Sequence, residues 1–203
     1  MLLPEKFIER IKKDLGSDAT PFLDSLETVS PVSIRFNNSK FVVDLFKDSV
    51  KEEVLWCDHA FYLDHRPSFT MDPLFHAGCY YSQEASSMYL WTILNFIKPN
   101  LPESPTVLDL CAAPGGKSTL LATFLNNQGL LVANEVIQAR SQVLKDNLTK
   151  WGYSNQIITN SDPKTLGKLT HLFDLLVIDA PCSGEGLFRK DKKARDEDRK
   201  SVV

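Results

Sequence analysis

From residue 107 onward, short apolar runs alternate with stretches of helical periodicity. Residues 107–110 read as a buried strand and 118–126 as a helix. Residues 130–133 read as a strand, 139–151 as a helix, and 157–159 and 173–178 as two further strands. Alternation of this kind fits parallel strands joined by helical crossovers, and little else of this length. The expected fold is therefore α/β, with a Rossmann-like sheet. Ligands of such sheets bind at the carboxyl ends of the strands, near the point where strand order reverses.

The stretch before it is of another kind. Residues 4–15 repeat Phe7, Ile8, Ile11 and Leu15 at helical spacing, with Pro4 in the first turn and Gly16 as the stop. A second short helix is expected after Asp18, carrying Phe22, Leu23 and Leu26. Residues 32–36 alternate as a strand, and Asn37-Asn38 makes a turn. Residues 41–56 mix helix and strand signals and stay unassigned. A short strand is expected near 77–81, then an amphipathic helix over 82–97 that buries Met88, Trp91, Leu94 and either Phe96 or Ile97. Three prolines in 98–105 exclude regular structure there. The predicted division is a small α+β N-terminal domain over 1–95 and the sheet domain over 96–197.

Composition narrows the class. With 203 residues, 43% of them hydrophobic and 24% charged, the chain can bury one large core or two small ones. No apolar run is long enough for a membrane span, and the N-terminus lacks the order of a signal peptide. Cys57, Cys79, Cys111 and Cys182 fit no zinc spacing, so no metal is expected, and reduced thiols point to the cytoplasm. A net charge of -3 lends no support to a nucleic-acid partner, although it says nothing of a local basic patch.

The loop after the strand at 107–110 is the first candidate site. It reads Asp109-Leu110-Cys111-Ala112-Ala113-Pro114-Gly115-Gly116-Lys117-Ser118. A phosphate-binding loop ending in Gly116-Lys117-Ser118 would need its first glycine at position 111, which is cysteine. A dinucleotide fingerprint needs three spaced glycines, and only Gly115 and Gly116 are present. Small residues and two glycines still let a ligand approach the backbone closely. The remaining reading is a loop for a nucleoside that carries an amino-acid tail. Glu135 ends the next strand, where an acidic group reaches ribose hydroxyls; a solvated glutamate is the alternative. Asp162 follows the third strand and could accept from an adenine amino group, or be a turn residue in Ser161-Asp162-Pro163. Asp179 ends the fourth strand, beside the first loop.

Asp179-Ala180-Pro181-Cys182-Ser183-Gly184-Glu185-Gly186 resembles the fourth motif of the RNA cytosine-5 methyltransferases of the Nol1/Nop2/Sun type, and Cys111 to Ser118 resembles their first. Ser33-Ile34-Arg35-Phe36-Asn37 and residues 75–84 are similar to upstream segments of that family. The resemblance runs from about residue 30 to 193 and is nearest to the bacterial branch that modifies small-subunit ribosomal RNA. It implies S-adenosylmethionine as cofactor, held by Cys111, Ala112, Ala113, Pro114, Gly115, Gly116, Lys117, Glu135, Asp162 and Asp179. It implies 16S ribosomal RNA as partner and methylation of cytosine C5 through a covalent cysteine adduct. A transfer RNA enzyme and a non-catalytic RNA-binding protein that keeps the cofactor fold remain alternatives.

Within that resemblance the attacking cysteine belongs to a later Thr-Cys-Ser motif, beyond residue 203. Cys182 takes the part of the second cysteine, which assists product release, with nucleophile as its runner-up role. Asp179 also orients the cytosine. Arg35 and Lys40 are candidates for phosphate contact. The family's sheet has seven strands, of which the first four are expected here, so the chain is read as a truncated and inactive piece. Residues 198–203 depart from the family pattern. Asp-Arg-Lys-Ser-Val-Val is encoded by GAT CGG AAG AGC GTC GTG, the opening of a common sequencing adapter whose next triplet is the stop TAG. A non-native tail is expected there.

Overall fold

The computed structural model describes residues 3–40, 48–180, 184–190 and 194–195. Four parallel strands follow the proline-rich stretch: β5 Thr106–Asp109, β6 Leu130–Asn134, β7 Gln156–Thr159 and β8 Leu175–Val177, in the order β7-β6-β5-β8. The register pairs Leu108 with Val132 on one side and with Leu176 on the other. Strand order reverses between β6 and β8, on either side of β5, so the carboxyl end of β5 is the switch point. Helices α6 Gly116–Leu125 and α7 Gln138–Trp151 make the crossovers, and the short α8 Pro163–Leu166 precedes β8.

Ahead of this sheet lies an antiparallel one, in the order β2-β3-β1-β4: β1 Val32–Phe36, β2 Val50–Glu53, β3 Ala60–Leu63 and β4 Tyr80–Ser82. Ile34 stands opposite Phe61 on one side and Ser82 on the other. Ile34, Phe36, Leu63, Phe69, Cys79 and Tyr80 form its own apolar cluster. Helix α3 Pro73–His76 is capped by Asp72, which accepts from the Leu74 N–H and the Tyr80 hydroxyl.

The helix expected over 82–97 starts later and divides, into α4 Ala85–Met88 and α5 Leu90–Ile97. Gln83 cannot join it because its N–H donates to Ser33 O and so prolongs the sheet. At Tyr89 the backbone tightens, its N–H bonding to Ser86 O three residues back. Ile97 packs on the core, whereas Phe96 is exposed.

One core serves both sheets. Val107, Leu131 and Ala133 from the parallel sheet meet Leu120, Leu121, Leu144, Leu148 and Trp151 from α6 and α7. Met88, Leu94, Val54, Cys57 and Ala60 join the same cluster. Over the opposite face of the parallel sheet lies a smaller apolar cluster of Leu108, Val132 and Leu166, with Leu110, Leu130 and Phe173 against it.

Contacts divide the chain into two compact units, Val32–Ala180 and the pair of segments Met1–Pro31 with Pro181–Val203. This division does not follow the proline-marked boundary, because the shared core ties the antiparallel sheet to the parallel one. In the smaller unit, α1 Glu5–Leu15 buries Phe7 and is followed by α2 Ala19–Ser25. Phe7 meets Phe188 edge to face at 5.0 Å, and Arg195 pairs with Glu27. Among the described residues no helix is long and apolar enough to cross a membrane.

Candidate functional site

The loop that leaves β5 is held from three sides. Leu110 N–H donates to Val177 O at the end of β8, and Ala112 N–H to Asn134 O at the end of β6. From α7, Arg140 donates to Ala113 O and the Asn147 amide to Pro114 O, each at 2.7 Å. Gly115 then takes a left-handed backbone, φ 112°, and starts α6. A Cβ there would lie 3.3 Å from Leu144 and 3.4 Å from Asn147, so a side chain is opposed by space and by conformation alike. The loop is thus fixed before any ligand arrives.

Around it the charged groups are paired or sunk. Lys117, in the first turn of α6, forms an ion pair with Asp179, two residues past β8. Asp109 ends β5 almost wholly buried and accepts from the Ser118 hydroxyl at 2.6 Å. Burial pushes its carboxyl up to about 6, against the pull of Ser118 and Lys117. Cys111 is raised too, first by burial and then by the negative charges of Glu135, Asp109 and Asp179. Its thiol is thus held toward the protonated form, which disfavours it as a nucleophile.

Glu135, just after β6, is 2% exposed. Its Oε1 accepts from Ile137 N–H, and its Oε2 lies 3.4 Å from Arg140 without a hydrogen bond. A buried carboxylate oxygen left short of a donor is an acceptor in search of a hydroxyl. Asp162 follows β7 and spends one oxygen on the N–H of Lys164, capping α8. Asn134 knits these strand ends together. Its amide donates to Leu110 O and Ser161 O, and its oxygen accepts from Thr159 and Ser161.

A cleft of about 240 Å³ opens at the carboxyl end of β5. One wall is Cys111, Ala112, Ala113, Pro114, Gly116 and Lys117, with Asp179 at the rim. The facing wall is Tyr81, Ser82, Gln83, Glu84 and Ser87, from the end of the antiparallel sheet and the start of α4. Of the residues expected from sequence, the loop and Asp179 meet in this cleft. Gly115 underlies it, Glu135 stands at the neighbouring strand end, and Asp162 is turned toward its own helix. Cys182 lies outside the described residues, as does 196–203.

The second wall was missed as a set of lining residues. Its signal is the segment 75–84, which ends in a short strand followed by polar residues too close to that strand to be helical. One expectation needs correction, that for Arg35, whereas Lys40 is partly exposed and engaged with backbone carbonyls. Arg35 is buried and faces no phosphate; it donates to Gln83 and Thr119 and lies over Trp151. Lys40 donates to Ala77 O and Lys150 O, closing the C-terminal turn of α7.

The donor set suits a nucleoside with an amino-acid tail better than a polyphosphate. The single lysine on the cleft is already paired, the loop side chains are small, and a buried carboxylate awaits a hydroxyl. Among the described residues no cluster of three or more His, Cys, Asp or Glu side chains is placed to hold a metal ion.

The family model of the N-terminal domain of 16S rRNA methyltransferase RsmF matches residues 3–85. Ribosomal RNA small subunit methyltransferase F of Vibrio vulnificus is 40% identical over 95% of this chain and 43% of its own length. Its counterpart from Pectobacterium atrosepticum is 37% identical, over 95% of this chain and 42% of its own. The chain thus spans less than half the length of these relatives. A methyltransferase homolog protein from Pyrococcus horikoshii superposes with a TM-score of 0.77 at 31% identity, covering 94% of this chain and 63% of that one. NSun6 from the same organism, crystallised with SFG, has a TM-score of 0.73 at 18% identity and covers 89% and 71%, a likeness of fold alone. The family model of 16S rRNA methyltransferase RsmB/F matches residues 96–202, just over half of the sequence. The chain therefore belongs to the RsmB/F family of 16S rRNA methyltransferases, which are S-adenosylmethionine-dependent enzymes.

Proposed function

We propose that the whole protein methylates C5 of a cytosine in 16S ribosomal RNA, and that this chain supplies its methyl-donor cleft. The observation that carries this reading is the pre-fixed loop 111–117 facing Asp179 at the tips of adjacent parallel strands. The loop admits the nucleoside against its backbone. Glu135, whose Oε2 makes an ion pair with Arg140 but no hydrogen bond, is the acceptor for the ribose hydroxyls, and the oxygen of Asp162 that does not cap α8 accepts from the adenine amino group. Bound there, S-adenosylmethionine supplies an electrophilic methyl group on a sulfonium.

The base needs activation, because cytosine C5 is a poor nucleophile. Addition of a cysteine thiolate at C6 makes C5 enamine-like. Cys111 is ill suited to that part, since burial and three carboxylates disfavour its anion; the resemblance assigns the thiolate to a later motif of the whole protein. Asp179, steadied by Lys117, orients the cytosine, and Cys182 assists release. Residues 1–95 position the RNA, by groups other than the buried Arg35.

Calorimetric titration of the chain with S-adenosylhomocysteine tests the cofactor reading. One site is expected, and Glu135→Ala should weaken it about tenfold or more, the cost of losing hydrogen bonds to a charged acceptor. A wild-type chain that is folded by circular dichroism yet takes up no ligand would refute the assignment.

A further inference from the structure

Behind the second wall of the cleft sits a cation with no acid beside it. Arg35, on β1, is 2% exposed. Its Nε donates to Gln83 Oε1 at 3.1 Å, and one terminal nitrogen donates to Thr119 Oγ1 at 2.7 Å and to Gly116 O at 3.3 Å. The guanidinium lies 4.8 Å over the Trp151 ring, and its other terminal nitrogen has no hydrogen bond. The groups that bear on its charge are Cys57, Tyr81 and Tyr153, none a carboxylate. Burial lowers its pKa only to about 10, so it stays charged at neutral pH. A buried cation without a counter-ion is expensive.

The consequence falls on Gln83. A guanidinium only donates, so Gln83 must offer it the amide oxygen. The amide nitrogen is then the arm left over. It lies 3.5 Å from the point where a Cβ on Gly116 would stand, and both residues line the cleft. Gln83 is itself 91% buried, and among the described residues nothing accepts from that nitrogen. The amide is therefore locked with its donor end toward the ligand. Positive potential reaches the same spot from Arg35 and from the N-terminus of the ten-residue α6. Two carboxylates line the cleft: Asp179, paired with Lys117, and the exposed Glu84 next to Gln83.

We propose that Gln83 binds the carboxylate of the methyl donor's amino-acid tail through Nε2–H, and that Arg35 is the positioning residue that fixes which end of the Gln83 amide faces the cleft. This rests on the methyl-donor reading of the cleft. Glu135, at the neighbouring strand end, takes the ribose, which leaves the wall at Gln83 and Gly116 for the tail.

The test compares two ligands that differ in one group: S-adenosylhomocysteine and its decarboxylated analogue, which keeps the amine and loses the carboxylate. Gln83→Leu should weaken S-adenosylhomocysteine about tenfold to a hundredfold, the range for a hydrogen bond to a charged group. It should change the analogue less than about twofold. Gln83→Glu should raise the melting temperature, since Arg35 gains a counter-ion, and still lose S-adenosylhomocysteine affinity. A merely structural role would not oppose stability to binding in this way. Arg35→Met should reproduce the selective loss, and Arg35→Lys should restore part of it. Equal losses for both ligands, or unchanged affinity in Gln83→Leu and Gln83→Glu, would overturn the proposal. Failure of the folded wild type to bind either ligand would instead remove the methyl-donor reading, and this inference with it.

Discussion

Asp109 shows how one carboxyl sets the terms of the site. It closes β5 under the loop, and its carboxyl titrates near 6 instead of 3.8 because burial penalises the anion more than Ser118 and Lys117 favour it. Between those two values the folded protein holds a proton that the unfolded chain has lost. The contribution of this carboxyl to stability is therefore greatest below about pH 4, falls as pH rises toward 6, and stays lower above that. Asp109→Asn removes the charge and keeps an acceptor for Ser118. We expect this variant to be more stable than wild type by about 2–3 kcal/mol at pH 7, with the gap closing toward pH 4. Urea unfolding at the two pH values measures it; a gap independent of pH would show that the carboxyl is not held protonated.

Between elements, a short polar seam joins the antiparallel sheet to the end of α7. Asn37, after β1, donates its amide to Gly78 O and Trp151 O at 3.0 and 2.7 Å, fully buried. Lys40 adds its bond to Lys150 O. At Gly78, φ is +70° and a Cβ would fall 2.0 Å from Lys150 O, so the two backbones touch there. Asn37→Ala should cost about 2–4 kcal/mol, because two buried carbonyls lose their donor at once. A loss below 1 kcal/mol in chemical denaturation would mean that water takes the place of the amide.

Seams of this sort are what the sequence conceals. The strands β1, β5, β6, β7 and β8 and the helices α1, α6 and α7 were all legible, to within two residues at most boundaries, because periodicity is a local signal. Strand β3, with α3 and α8, was not. Ala60–Leu63 is four residues long and is fixed by partners on both sides rather than by its own pattern. Asp72-Pro73 and Asp162-Pro163 are cap-and-first-turn pairs; the second was read only as a turn and the first carried no assignment. At the site, the loop and Asp179 could be read because chain order places them at strand tips. Gln83 and its neighbours could not, since only packing of one sheet against the other brings them there. Arg35 was misread for the same reason: a charge in an alternating strand looks like surface until the core closes over it.

For the molecule as a whole, the parallel sheet has an unequal pair of faces. Val107, Leu131 and Ala133 look into the shared core, while Leu176 and Ile178 are 50% and 57% exposed and Ile157, Leu169 and Leu172 are exposed as well. Among the described residues, β8 pairs with β5 alone. Open apolar area on an edge strand favours association with another chain. Sedimentation of the 203-residue chain should show self-association that grows with concentration, and Leu176→Lys with Ile178→Lys should suppress it. A wild type that stays monomeric throughout would show that this face is covered in solution.

The cleft, finally, has one lip from each sheet: Gln83 and its neighbours hang from the antiparallel ladder, and Cys111 to Lys117 from the parallel one. A nucleoside lodged there acts as a rivet through two plates. Filling the site and holding the plates together become a single equilibrium, so whatever strains one sheet against the other loosens the grip on the methyl donor, and a firm grip stiffens the whole frame.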